Sequence, residues 1–287
     1  MSKFIRNFLG KAGLQIRKSV IINLRDQNVH PIDFVYLNDK RERASAILLN
    51  IPIATCRTQI WNTLEQEKNP FVKTLGEYAN NKALSYHNSV MNVYYQKYTP
   101  KNAAQVVRLP GNEILKTIPA MGYILPWENS TVEEILKIRE RDALKENTQA
   151  GQKFPLSYGY TDFGPVKDEK GIIEFNRLVT IYNNIKQLGF MEKPYLSDGG
   201  IKGYFLVNTD NDWCFIIKSG KHRAYALSAL GYQHIPVIVD NYCGIIQRES
   251  DCHFWPQVKS GIFSEHEARF FANNILNIGN QTSSVCY

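Results

Sequence analysis

The stretch from Trp213 to Val239 restricts the fold most. Trp213-Cys-Phe-Ile-Ile217 is apolar at consecutive positions, so a strand built from it buries both faces and belongs inside a sheet. It runs almost directly into Ser219-Gly220-Lys221-His222-Arg223, then into Ala224-Tyr-Ala-Leu-Ser-Ala-Leu230, closed by Gly231, then into Ile235-Pro-Val-Ile-Val239. Strand, glycine turn, helix and strand in that order predict an α/β (α+β) architecture. Upstream, Tyr204-Phe-Leu-Val207 and the polar turn Asn208 to Asp212 predict a hairpin with the first strand.

A strand-to-helix turn of this kind has its own electrostatics. The first N–H groups of the helix lack intrahelical acceptors, and the helix dipole is positive there, so an anion is stabilised. Gly220 lets the main chain approach a ligand closely, and Ser219, Lys221, His222 and Arg223 add donors or charge. Arg223 suits a fixed phosphate contact better than Lys221, because only a guanidinium offers two parallel donors. The same junction admits a plainer reading, since such turns carry Gly for steric reasons, and His222 could cap or hydrogen-bond its neighbours.

Elsewhere the patterning sets out three segments: an N-terminal extension over 1–129, a core over 130–245 and a helical tail over 246–287. Phe4, Ile5, Phe8, Leu9, Ala12 and Ile16 share one helical face opposite Lys3, Arg6, Arg17 and Lys18, the pattern of a helix resting on an anionic membrane or docked on its own domain. Phe34-Val35-Tyr36 and Ala46 to Leu49 suggest a hairpin, and Pro70 to Tyr98 two helices, with tyrosines packing or stacking on a sugar or base. The N-terminal hundred residues are expected to pack on the core as an additional layer. Ser130-Thr-Val-Glu133 predicts a capping box opening a helix to about Glu146. Residues 151–164 predict a long loop, and Ile172, Phe175, Leu178, Val179, Tyr182 and Ile185 a helix from about Gly171 to Gly189. On it, Glu174 and Arg177 are spaced to pair at the surface. Ser264-Glu-His-Glu267 predicts one more helix.

With 287 residues, 44% of them hydrophobic, the chain can bury a sizeable core. No apolar run approaches the span a membrane helix needs, and Met1 to Lys18 lacks the apolar stretch of a signal peptide. The five cysteines have no C-x-x-C spacing, which fits a reducing compartment, and Cys243, Cys252 and His253 match no common zinc spacing. A net charge of +7 favours an anionic partner.

Segment 219–239 resembles the ParB/sulfiredoxin superfamily pattern of Gly-x-[His/Arg]-Arg, an Ala-rich helix, Leu-Gly and Ile-Pro-Val. Asn184-Ile-Lys-Gln-Leu-Gly189, with Pro194 beyond, also resembles that family's helix ending before a Pro-bearing strand. The likeness covers about 172–240 and implies a ParB/sulfiredoxin-like core, with an N-terminal hairpin-plus-helices extension, whose turn at Gly220 to Arg223 binds nucleotide phosphate. Lys221 stands where sulfiredoxins carry their nucleophilic cysteine, and only 48 residues follow Val239, so sulfinic-acid reduction and specific reading of duplex DNA are not expected. The kinase-like members, which keep His before Arg, imply ATP or another nucleoside triphosphate with Mg2+ and a carboxylate base. Glu146, Asp162, Asp168 and Glu169 are the candidates; Asp162, with His222, is the preferred catalytic pair, although an Asp before Phe-Gly-Pro also forms turns.

The resemblance thus implies a nucleotide-dependent phosphotransferase acting on a small hydroxylated metabolite or sugar, and the cysteine usage a cytoplasmic location. The alternative is a non-catalytic, nucleotide-gated binding or scaffold protein at the inner membrane face. DNA-binding or nuclease activity ranks third.

Overall fold

A computed structural model of the chain describes residues 21–27, 30–31, 33, 46–60, 63–146, 148–149, 152–153, 155–191, 200–239 and 246–278. The strands are β1 (Ile21–Asn23), β2 (Ala46–Pro52), β3 (Cys56–Thr58), β4 (Thr148–Gln149), β5 (Gln152–Lys153), β6 (Lys202–Val207), β7 (Trp213–Ser219), β8 (His234–Val239) and β9 (Ile246–Arg248). The helices are α1 (Pro70–Asn80), α2 (Val90–Lys97), α3 (Ala103–Val106), α4 (Glu113–Thr117), α5 (Val132–Glu146), α6 (Asp168–Leu188), α7 (Lys221–Ala229), α8 (Pro256–Lys259) and α9 (Glu265–Asn277).

The protein is α/β, built on one mixed seven-stranded sheet in the order β1-β2-β8-β6-β7-β3, with β9 pairing β6. The apolar β7 is interior: it pairs antiparallel with β6 (Phe205 opposite Phe215) and parallel with β3 (Cys56 opposite Phe215). Strands β6 and β7 form the hairpin that their sequence predicts.

Alternation along β6 sorts its side chains into two cores. Phe205 and Val207 join Phe215, Ile217 and Val237 beneath α1, α2, α6 and α7, where Phe71, Leu75, Tyr94, Leu178 and Ala226 are buried. Tyr204 and Leu206 face the other way with Cys214 and Ile216, against Trp127, Trp255, Phe271 and Ile275. The result is helices on both faces of the sheet.

Several local expectations shift. Strand β2 has its neighbours in β1 and β8, with Ile47 opposite Val239; Phe34 to Tyr36 lies outside the described residues, as does the N-terminal basic helix. The segment before residue 130 therefore supplies strands to the sheet itself, where an added layer was expected. The capping box of α5 lies one residue on: the Thr131 N–H donates to Glu134 at 2.8 Å, and the Glu134 N–H to the Thr131 hydroxyl at 3.2 Å. The loop after α5 contains the β4–β5 pair and a short 3-10 turn at Leu156–Tyr158. Tyr86, Tyr94 and Tyr95 are buried in the core and present no stacking surface. No helix among the described residues is long and apolar enough to cross a membrane.

Candidate functional site

The β7–α7 junction forms as its sequence predicts. Gly220 is the N-cap residue of α7, in the left-handed region at φ 82° and ψ 20°, and as a glycine it supplies no side-chain cap to the first N–H groups of the helix. A Cβ on Gly220 would lie 2.6 Å from the Gly200 carbonyl oxygen, so the position takes only glycine without rearrangement. Ser219 is exposed at the end of β7, while Lys221, His222 and Arg223 are half-buried in the first turn of α7. The Arg223 guanidinium donates to the Gly200 carbonyl at 3.3 Å.

Asp162 reaches this turn from 59 residues away, and its carboxylate Oδ1 is bonded to Lys221 Nζ. The backbone around it is fixed by tyrosines of α2. Tyr94 donates its hydroxyl to the Asp162 carbonyl at 2.5 Å, and Tyr95 donates to the Thr161 carbonyl at 2.8 Å. The Gly164 N–H donates to the Tyr98 carbonyl at 2.9 Å, and a Cβ on Gly164 would collide with the Tyr95 carbonyl. The buried tyrosines thus act as a scaffold for the 160s loop, which explains their helical spacing. The other Asp162 oxygen, Oδ2, accepts a 3.5 Å contact from Tyr123.

A second ionic group lies beside the first. Glu174 was expected at the surface with Arg177, but α6 starts at Asp168 and its buried face includes Lys170, Glu174, Leu178 and Tyr182. Glu174 Oε1 accepts from Lys170 at 2.7 Å, with both side chains fully buried, and from Arg177 at 2.8 Å. Its other oxygen, Oε2, faces His222 Nε2 at 3.5 Å and has no hydrogen-bond donor. Arg177 also donates to the Glu146 carbonyl at 2.7 Å, while Glu146 Oε2 accepts from the Thr161 hydroxyl at 2.9 Å. Asp168 and Glu169 are exposed in the first turn of α6, where Asp168 lies 3.9 Å from His87.

Burial and neighbouring charges set the protonation states. Burial alone would raise the Asp162 carboxyl, but the ammonium of Lys221, aided by Arg139, outweighs it and holds the group below its ordinary value. Burial likewise works against Glu174, and His222, Lys170 and Arg177 together overcome it and hold its carboxyl low. Glu146 goes the other way: burial, then repulsion from Glu174, raises it, against the pull of Thr161, Lys170 and Lys221. Burial drives the His222 imidazole down to about 4, although Glu174 opposes the shift.

The arrangement brings together Asp162, Lys221, His222 and the candidate carboxylate Glu146 with, unforeseen, Lys170, Glu174 and Arg177. One signal for the missed residues exists in the sequence: Lys170 and Glu174 precede Leu178 at helical four-residue steps on the apolar stripe. Three cations (Lys170, Arg177, Lys221) act on three carboxylates (Glu146, Asp162, Glu174) beside the start of α7. Asp162, doubly contacted and held low, serves chemically as an anchor for Lys221. Glu146 is half-buried and, among the described residues, has no cation partner within ion-pair distance. No family model matches this chain, nor does any curated protein or solved structure.

Proposed function

We propose that the protein is a nucleotide-dependent phosphotransferase acting on a small hydroxylated metabolite or sugar, with the nucleotide phosphates bound at Gly220 to Arg223. One observation carries the reading: α7 starts on a glycine that offers no side-chain cap and has Lys221, His222 and Arg223 as its first three residues, which gathers cationic and donor groups where the dipole already favours an anion. The likeness of this turn to ParB/sulfiredoxin-like proteins, and of its His-Arg pair to their kinase-like members, supports the same reading, and the scattered cysteines without C-x-x-C spacing support a cytoplasmic site of action.

In this reading the phosphate draws the Lys221 ammonium from Asp162, while Arg223 supplies a fork to two oxygens. Glu146 accepts the substrate hydroxyl proton, because among the described residues it is the candidate carboxylate near Lys221 without a paired cation, and its raised proton affinity makes it the better base. Among the described residues, no group of three or more His, Cys, Asp or Glu could hold a metal. A magnesium ion would therefore be held mainly by the phosphates, with Glu146 or Asp162 as its protein oxygen donors. Bound there, it would neutralise charge on the transferred group.

Incubating the pure protein with each nucleoside triphosphate and Mg2+, then following bound and hydrolysed nucleotide, tests the proposal. Slow hydrolysis that Glu146→Gln lowers at least about a hundredfold, in the range of a lost general base, is the expected result. Absence of binding for every nucleotide would overturn it. The alternative, a nucleotide-gated binding protein, is favoured by the Lys221–Asp162 pair, which a phosphate would open without any reaction. Tight binding with no turnover in any pairing with sugars or hydroxylated metabolites would select it.

A further inference from the structure

The proposed function leaves one buried atom unexplained. Glu174 is fully buried, its Oε1 is bonded to Lys170 and Arg177, and its Oε2 has no donor although His222 Nε2 stands 3.5 Å away. A buried acceptor left without a donor is unfavourable, and such groups call for an explanation.

Hydrogen inventory supplies one. A neutral imidazole has one N–H and an imidazolium has two. His222 is the second residue of α7, and its Nε2 faces buried Glu174 Oε2. A phosphate at the start of the helix adds a second acceptor beside the imidazole. Only the charged ring can donate both to Glu174 Oε2 and to a phosphate oxygen.

We infer that Glu174 is a positioning residue for anion binding, acting through His222, which takes up one proton from solvent as the phosphate arrives and then bridges Glu174 Oε2 to a phosphate oxygen. This rests on the phosphate-binding reading of the turn.

The groups around His222 agree with this. From α6, Glu174 favours the imidazolium and Arg177 opposes it; from the 160s loop, Asp162 favours it; from α7, Lys221 opposes it, while the Tyr225 ring packs edge-on 6.3 Å away. Without ligand, burial holds the ring neutral, with a proton affinity near 4. A bound phosphate adds negative charge and engages Lys221, one of the two opposing cations. Both changes favour protonation.

By linkage, an event that takes up one proton strengthens about tenfold per unit fall in pH over the window between the free and bound proton affinities. The free value near 4 sets the lower edge of that window. The ligand's own last ionisation, near 6 for a phosphate, works against this at lower pH.

Titration calorimetry at pH 7 with ATP, and separately with inorganic pyrophosphate, in two buffers of different ionisation heat, counts the protons directly. The expected result is uptake of between about half and one proton in the wild type, falling to near zero in His222→Gln with binding retained but weakened. Glu174→Gln should likewise lose most of the uptake. If that variant fails to fold, because Lys170 is left without its buried partner, His222→Gln still decides. Binding without proton uptake, or uptake unchanged in His222→Gln, would overturn the inference and leave the phosphate site standing. No binding of either probe would overturn both.

Discussion

Helices α7 and α9 begin in opposite ways. At α9, Ser264 and Glu267 form a full capping box: the Glu267 N–H donates to the Ser264 hydroxyl at 3.2 Å, and the Ser264 N–H to Glu267 Oε2 at 2.9 Å. Glu265 and Glu267 also place negative charge where the dipole favours it. At α7 the N-cap is Gly220, which has no side chain to cap the helix, its first three residues are Lys221, His222 and Arg223, and compensation comes from Asp162 and Glu174, which belong to other segments. The first start is complete within four residues of sequence. The second is incomplete locally, and the proposed phosphate site rests on that difference.

The largest effect should come from removing the distant compensation. Glu174→Ala would strand the fully buried Lys170 ammonium, and breaking a buried pair in this way costs about 3 to 5 kcal/mol. Urea unfolding should show a midpoint well below that of wild type. A change within about 0.5 kcal/mol, as at surface positions, would mean that the ionic cluster is not a structural element.

Gly220→Ala comes next. A left-handed alanine at φ 82°, with its Cβ 2.6 Å from the Gly200 carbonyl oxygen, should cost about 1 to 3 kcal/mol and should also weaken anion binding. Ser264→Ala at the other helix should cost about 1 kcal/mol, with anion binding unchanged. Matching losses of binding in the two variants would erase the distinction between the helix starts.

A further difference concerns pH. His222 has a folded value near 4, below the ordinary 6.5, so the unfolded chain binds more protons between those values. Stability is therefore complete above about 6.5 and declines as the pH falls toward 4. Asp162, held low by Lys221 against burial, adds a further loss at lower pH as its carboxylate is protonated. His222→Gln should flatten thermal stability between pH 6.5 and about 4, whereas Ser264→Ala should leave the slope unaltered. An equally steep slope in His222→Gln would assign the acid sensitivity elsewhere.

Local signals account for what the sequence made legible. The β6–β7 hairpin, the Gly220 turn, α7 and the Ser264 box each depend on residues within a few positions of one another. The α5 box slipped by one because Ser130-x-x-Glu133 and Thr131-x-x-Glu134 both satisfy the pattern, and only tertiary placement chooses between them. Strand β2 beside β8, with Ile47 opposite Val239, depends on contacts that no local pattern encodes. For the same reason Asp162 and Lys221 could be named separately but not as partners. Glu174 and Arg177 read as a surface pair because spacing of three shows that two side chains meet, not whether the helix face is wet.

The central claim is that the start of α7 is left open for an anion. Calorimetry of ATP with Mg2+ on wild type, Arg223→Ala, Arg223→Lys and Ser264→Ala tests it most directly. A charge-assisted contact of about 1.5 to 3 kcal/mol predicts roughly ten- to a hundredfold weaker binding in Arg223→Ala. Arg223→Lys should recover part of that loss, and Ser264→Ala should bind as wild type does. Unchanged affinity in a folded Arg223→Ala would contradict the claim and leave the turn as a structural junction.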